Sequence, residues 1–443
     1  MQANSTSSIH CLQRLTLALA MATCACAPSA PEDDSSTRDS VATASHPEPA
    51  PARQPNVLWI TIDTLRADHL GVYGYERDTS PWIDSFAEQS IVFERVFAPI
   101  ATTLPSHTTM FTGVYPHEHG ILANIAGGQT YRRRPELQTL AELLQEGGYA
   151  TQAVISAFPL REQFGLASGF DEYREPKRKQ RGAKAATNAA VKALEALQAD
   201  GEEAAPGFLW VHYFDPHVPY HPPESYRTRF QMTDEERAAL LERGFAERAQ
   251  RRTGEWNELA EGMDLYDEEI VYVDDQVRRL ITTAEETGWL DDAVVVITAD
   301  HGEGLNQHGM PGHGFVWQEQ LRVPFILRAP GEAPRRIDHA MSLADAAPTL
   351  LRFIDVPGKE AFLEQATGVD RLDPSLAHRD ARILGQSSPL QSTEEGVEYT
   401  LRAGDWKLHV GPGGSRRLYR ITDDPEERVD LAREEPVIAD RLN

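Results

Sequence analysis

Acids and histidines stand directly after three apolar runs of this chain. Asp63 follows Val57-Leu-Trp-Ile-Thr-Ile62, Asp215 and His217 follow Phe208-Leu-Trp-Val-His-Tyr213, and Asp300 with His301 follows Ala293-Val-Val-Val-Ile-Thr298. Carboxylates and imidazoles gathered in one place make a cation site, because a buried acid cluster is costly unless a positive charge neutralises it. Taken singly, an acid after a strand serves equally well as a helix cap. A fourth stretch, Thr103-Leu-Pro-Ser-His-Thr-Thr-Met-Phe-Thr-Gly113, reads as a loop entering a short helix whose free N–H groups would receive an anion. Thr103 or Ser106 would also serve there as an ordinary cap.

These side chains meet only if the apolar runs are neighbouring strands. Each run is short, continuous and mostly β-branched or aromatic, which suits a strand buried on both faces. Leu137, Leu140, Ala141 and Leu144 fall at helical spacing after Pro135, with Gly147-Gly148 past the end, and predict a helix over 135–144. A strand is expected over 149–156. Ile270, Val273, Val277, Leu280 and Ile281 mark a long helix closing near Gly288. The alternation predicts an α/β fold with a large, mostly parallel sheet sandwiched by helices. In such sheets ligands bind beyond the carboxyl ends of the strands, where the acids and histidines lie. Residues 225–262 are highly charged and predict a helical insertion over one edge or a lid. Together with 157–205 they are expected to supply the pocket walls.

Of 443 residues, 41% are hydrophobic and 25% charged, which excludes a disordered chain, a fibre or a polytopic membrane protein. Lys and Arg number 43 against 68 Asp and Glu, a net charge of −25. That field repels nucleic acid, so no nucleic-acid partner is expected, and an anionic substrate needs a local positive site. All three cysteines, Cys11, Cys24 and Cys26, precede residue 27, leaving no disulfide framework and no thiol nucleophile in the body. Leu15 to Ala22 after Arg14 matches the apolar core of a secretory signal and is too short to span a bilayer. The small residues and cysteines that follow resemble a lipoprotein signal, with lipid on Cys26 or, in competition, Cys24. The expectation is export to a bacterial periplasm with a lipid anchor in the membrane, the alternative being a soluble secreted protein. Residues 27–55, rich in Pro, Ser, Ala and acid, read as a tether.

The motifs, taken in order, resemble the sulfatase branch of the alkaline phosphatase superfamily over roughly residues 56–432. They are Asn56-Val-Leu-Trp-Ile-Thr-Ile-Asp-Thr-Leu-Arg-Ala-Asp68, the Thr103–Gly113 segment with Tyr115-Pro-His-Glu-His-Gly120, Asp215-Pro-His-Val-Pro-Tyr220, Thr298-Ala-Asp-His-Gly-Glu303 and Leu321-Arg-Val-Pro324. Gly404-Asp-Trp-Lys407, Leu418-Tyr419 and Asp424-Pro425 resemble the small C-terminal subdomain of that family. Beyond the signal over 1–26 and the tether over 27–55 read from the residues themselves, the resemblance implies a catalytic α/β domain over 56–375 and a small α+β subdomain over 376–443. It also implies a metal-dependent hydrolase of a small anionic ester.

The departures from the family pattern matter most. Family sulfatases carry Cys or Ser, oxidised to formylglycine, where Thr103 stands, and Arg where His107 stands. They usually place a second Asp at Thr64. The set Asp63, Thr103, Asp300 and His301 instead resembles superfamily members that attack phosphorus with an unmodified threonine, such as nucleotide phosphodiesterases and phosphoethanolamine transferases. An imidazole in that set favours zinc or manganese over calcium. One ion is implied, or two if Asp215, His217 and His313 form a second set. His217 and His313 would support the leaving oxygen, His107 would hold the nucleophile loop, and Thr64 and His308 would lie behind the ligands. His117 and His119 would shape the loop after the nucleophile helix. Lys407 would approach the substrate or stand in solvent. Three readings follow: a phosphoester hydrolase or transferase acting through Thr103, a sulfatase without formylglycine, and an inactive metal-binding relic.

Overall fold

A computed structural model of the protein describes residues 54–443 apart from 125–132, 200, 202, 203, 252, 377–380 and 390–395. Cys11, Cys24, Cys26, the export signal and nearly all of the tether lie outside the described residues. Residues Ala52–Asn443 make one compact unit.

The large sheet is built from β1 (Asn56–Ile62), β2 (Ile91–Phe97), β3 (Ala150–Val154), β4 (Glu172–Arg174) and β5 (Gly207–Tyr213). A hairpin follows, β6 (Arg248–Gln250) and β7 (Trp256–Glu258), and then β8 (Ala293–Ala299), β9 (Arg322–Arg328), β10 (Arg335–Ile337) and β11 (Met341–Ser342). The sheet has nine strands in the order β10-β2-β9-β8-β1-β5-β3-β4, with β11 also on β2. β1 lies parallel between β5 and β8, with Ile62 opposite both Tyr213 and Ala299. The three strands that precede the chemistry-bearing residues are therefore adjacent and end level, and the next residues of each emerge at one edge. β9 runs antiparallel to β2 and β8, so the sheet is mixed while its centre is parallel. β1, β5 and β8 are buried along almost their whole length, which is why they read as continuous apolar runs.

Helices cover the faces. The 28-residue helix Leu259–Glu286 buries Ile270, Val273, Val277, Leu280 and Ile281, and the chain turns at Gly288 with φ +72°. The helix Thr103–Thr112 is buried at every residue. Its Phe111 sits edge-on to Trp210 at 4.8 Å and against Trp59 at 5.5 Å. Aromatic contacts of this size fix the helix on the sheet and with it the position of Thr103.

Two expectations are corrected here. The helix expected over 135–144 runs Leu140–Glu146, because Thr139 and Glu142 close a capping box that starts it later than the apolar spacing suggests. The charged segment 225–262 holds a helix, Asp234–Glu242, but also the β6–β7 hairpin, where the Arg251 N–H donates to the Glu255 carbonyl at 2.7 Å and Gly254 takes φ +89°. Positive φ in a tight turn favours glycine and makes a hairpin of polar sequence that lacks apolar alternation.

A small antiparallel sheet follows, β12 (Ile383–Gln386), β13 (Tyr399–Ala403), β14 (Trp406–Val410) and β15 (Arg416–Arg420), in sequential order. Lys407 neither stands in solvent nor approaches the strand-end site. It is buried, with Nζ donating to the Val316 carbonyl at 2.7 Å and paired to Glu427 Oε1 at 2.8 Å. Glu427 also accepts from the Gln318 N–H at 2.6 Å and pairs with His409 at 2.9 Å. Burial works against its charge, but Lys407 and His409 hold the Glu427 carboxyl down at about 2. The ion pair thus ties the C-terminal sheet to the segment after β8. Removing one partner of a buried pair leaves the other uncompensated, so Lys407→Ala should lose about 3–5 kcal/mol of unfolding free energy in denaturant titration, and Lys407→Ala, Glu427→Gln much less than the sum of the two single changes.

Candidate active site

At the level edge of β5, β1 and β8, Asp63, Asp300 and His301 bring one ligating atom each within 4.8 Å of one another, and all three are buried. His301 Nε2 lies 3.5 Å from Asp300 Oδ2 and 3.8 Å from Asp63 Oδ1. Thr64 makes the corner: its φ of +57° is uncommon for a β-branched residue, and its N–H donates to Asp300 Oδ1 at 3.2 Å. The His301 N–H donates to the same oxygen at 2.9 Å. Gly302 and Gly304 let the following loop fold back, since a Cβ on either would come within 2.1 Å of a carbonyl oxygen, that of Glu319 or of Met310.

What this cluster lacks decides its chemistry. Both Asp63 carboxylate oxygens, Asp300 Oδ2 and His301 Nε2 are buried without a hydrogen-bond partner. Burial would raise the Asp63 carboxyl, yet His217, His212 and His301 hold it well below the usual carboxylate range. Burial, reinforced by the charge on Asp63, pushes Asp300 well above it. Burial pushes His301 well below its ordinary value, so its imidazole is neutral and offers a lone pair. His301 Nδ1 is engaged with the Gly302 carbonyl at 3.0 Å, which leaves Nε2 as the ligating atom. Two carboxylates and a neutral imidazole, all aimed at one point and otherwise unpartnered, fit a divalent cation.

Thr103 opens the buried helix, and the first turn of that helix borders Asp300. Ser106 Oγ donates to the Asp300 carbonyl at 2.6 Å, and His107 Nδ1 lies 3.6 Å from Asp300 Oδ2. His107 is fully buried, with Nδ1 donating to the Thr103 carbonyl at 2.8 Å and Nε2 at 3.1 Å from Thr61 Oγ1. It therefore ties the turn that carries Thr103 to β1 and is not a helix-surface residue. Burial and the neighbouring His212 bring its imidazole down to about 3, so it is neutral.

His313 and His217 line the other side. The His313 ring is 4.4 Å from that of His301 and 5.1 Å from that of His217. Burial would lower the His313 imidazole, but Glu303 Oε1 at 3.3 Å from Nδ1 lifts it above its ordinary value.

Asp215 does not join them. Its Oδ2 accepts from the Ala183 N–H at 2.7 Å, at the start of the helix Ala183–Leu197, and burial pushes its carboxyl up to about 6. Its role is the cap that an acid after a strand often plays. Among the described residues, Asp215, His217 and His313 do not bring one ligating atom each within 4.8 Å of one another. His308 also lies elsewhere, stacked on Trp317 at 3.7 Å and 3.9 Å from Glu319 in the cluster that holds Lys407. His117 is exposed, whereas His119 is buried against Thr109 Oγ1 at 3.0 Å and accepts from the Ile121 N–H, shaping that loop.

Three residues escaped sequence reasoning. His212 Nε2 lies 3.5 Å from Asp63 Oδ2 with neither ring nitrogen hydrogen-bonded, and its signal was a lone histidine inside an apolar strand. Asn124 accepts from the Leu104 N–H at 2.8 Å and turns Nδ2 toward Thr103 Oγ1 at 3.4 Å. Nothing in its neighbourhood in sequence announces it. Glu303, fully buried behind His313, stands in the Thr298–Glu303 motif and was visible there.

Asp300 is the carboxyl whose charge burial and Asp63 oppose, so Asp300→Asn should raise the thermal midpoint of metal-free protein. In wild type, zinc or manganese at about 100 times its Kd should add about 2.7 kcal/mol of stability, and in Asp63→Asn nearly none. Calorimetry with and without a chelator reads both.

Comparison with known proteins agrees with this geometry. The sulfatase family model matches residues 55–356. An arylsulfatase of Clostridium perfringens is 22% identical over 86% of this chain and 91% of its own. The phosphonate monoester hydrolase of Agrobacterium radiobacter superposes with a TM-score of 0.67 at 21% identity, over 87% of this chain and 93% of that one. A protein solved with its substrate D-glucosamine-2-N,6-O-disulfate superposes with a TM-score of 0.68 at 20% identity, over 88% and 96%. The fold is shared with these solved structures, and the family model covers well over half of the sequence: this chain is a member of the sulfatase family of ester hydrolases.

Proposed function

We propose that this hydrolase cleaves a phosphate ester, with the unmodified hydroxyl of Thr103 as nucleophile and Asp63, Asp300 and His301 holding one divalent cation. The observation that carries the reading is the residue at the nucleophile position: Thr103 opens a fully buried helix whose first turn is bonded to Asp300, and a threonine yields no formylglycine aldehyde. The cation supplies positive charge beside the hydroxyl and the transferring group, which makes an alcohol ionisable near neutral pH. Asn124 Nδ2 orients the Thr103 oxygen. In the first turn the Leu104 and Ser106 N–H groups are already bonded to Asn124 Oδ1 and the Thr102 carbonyl and Pro105 has none, so the Thr103 N–H is left to receive charge on an equatorial oxygen. The Thr103 Oγ–P bond forms as the bond to the leaving oxygen breaks, the Thr103 hydroxyl proton passes to solvent water, and His313, with His217 beside it, gives the leaving oxygen its proton. Water then releases phosphate from Thr103, or an acceptor alcohol takes it in a transfer.

Family membership favours a second reading, sulfate ester hydrolysis without formylglycine. Its difficulty is chemical: a threonine sulfate lacks the geminal hydroxyl by which a formylglycine hydrate expels sulfate. A relic would have no reason to keep four unpartnered ligating atoms at one point.

The test is a panel of aryl phosphate monoesters, diesters, phosphonates and sulfates on zinc- or manganese-loaded protein. Phosphoester turnover that falls about 1,000-fold or more in Thr103→Ala is expected, with a smaller loss in Asn124→Ala. Sulfate turnover alone would reject the reading.

For the N-terminus, the proposal is export with lipid on Cys26 or Cys24. Among the described residues no helix is long and apolar enough to cross a membrane, so membrane attachment would rest on the lipid. Mass spectrometry of the full chain from membrane fractions should find a diacylated cysteine at the new N-terminus. An intact Met1 in the soluble fraction would contradict it.

A further inference from the structure

A cavity of about 600 Å³ opens beside the site, and His313 is part of its wall. Its apolar wall is Val218 and Pro219 from the loop after β5, with Met310, Pro311 and Phe315 from the loop after β8. These are the two loops that carry His217 and His313, the residues facing the leaving oxygen. The space they enclose is therefore where the leaving alcohol sits while the ester group is held at Thr103. The polar wall is confined to one side, the β6–β7 hairpin, with Gln250, Arg251, Thr253 and Glu255. Arg251 is only partly committed: its Nη2 donates to Asn257 Oδ1 at 2.7 Å and its guanidinium lies 5.7 Å from the Tyr220 ring centroid, while its Nε is buried without a hydrogen-bond partner, so this side of the cavity keeps one polar donor.

A sugar ring carries hydroxyls all round its edge, and each one placed against Val218, Pro219, Met310, Pro311 or Phe315 would lose water without gaining a partner. A ring or chain that is apolar on one face gains burial there instead. We infer that the natural ester has an apolar, ring-bearing leaving alcohol and is not a sugar ester of the kind bound by the D-glucosamine-disulfate relative. This inference rests on the ester-hydrolase reading of the site and extends it to the substrate class. It does not depend on whether the ester is a phosphate or a sulfate.

The kinetic test compares 2-(2-naphthyl)ethyl phosphate with glucose 6-phosphate, both primary alkyl esters, so leaving-group basicity is matched. A kcat/KM at least tenfold higher for the naphthyl ester, carried mainly in KM, is expected in wild type. Met310→Asp and, separately, Val218→Ser should cut that ratio to less than threefold, with thermal midpoints confirming that each variant folds. An equal or reversed preference in wild type overturns the inference. If phosphate esters are not turned over, the same pair as sulfates is read in the same way, which separates failure of the phosphate reading from failure of this one. Binding of 2-(2-naphthyl)ethanol and glucose to Thr103→Ala by calorimetry needs no turnover. Naphthylethanol should bind at least tenfold more tightly than glucose, and comparable affinities would overturn the assignment.

Discussion

Two carboxylates set next to each other inside a protein core repel, and the rest of this fold is organised around that repulsion. Asp63 and Asp300 present ligating oxygens within 4.8 Å of each other. Were both ionised, charges at that distance would repel by about 3.5 kcal/mol at an effective dielectric constant of about 20, before any cost of removing them from water, and this is why Asp300 is driven toward its neutral form. The neighbouring imidazoles relieve this only partly, since burial drives His107, His217 and His301 toward the neutral form. β1, β5 and β8 must end level, Thr64 must turn through a left-handed conformation, and Gly302 must admit a carbonyl at close range for the cluster to exist at all. An arrangement that costs so much and leaves its polar atoms unpartnered is explained by a cation that the residues were assembled to hold.

The second organising feature is how firmly the segment proposed to carry the nucleophile is attached to that cluster. Ser106 bonds the backbone of Asp300, His107 bonds both Thr103 and Thr61, and Phe111 wedges between Trp59 and Trp210. Thr103 therefore sits on rigid structure, which is what in-line attack requires. As a neutral imidazole, His107 brings hydrogen bonds without a permanent positive charge.

Much of this was legible in the sequence, for a physical reason: strands buried on both faces read as uninterrupted apolar runs, and the residues that end them stand out. Asp63, Asp300 and His301 were found that way, and Thr103 through the motif around it. The misses also have physical causes. Asp215 follows a strand just as Asp63 does, and only the direction of its side chain toward Ala183 makes it a cap. Lys407 looks like any lysine until Glu427, twenty residues on, is folded against it. Asn124 comes from a loop with no pattern, and the β6–β7 hairpin is written almost entirely in polar residues, so no alternation betrays it. Local sequence reports which element a residue belongs to far better than where its side chain points.

The measurement that bears most directly on this account is anomalous diffraction from crystals of the zinc- or manganese-loaded protein. The account predicts a single strong peak at the carboxyl edge of β1 and β8, bonded to Asp63, Asp300 and His301 at about 2.0–2.3 Å, with Thr103 Oγ1 completing the shell. A peak elsewhere, or one at this point with the Thr103 oxygen well beyond bonding distance, would contradict it.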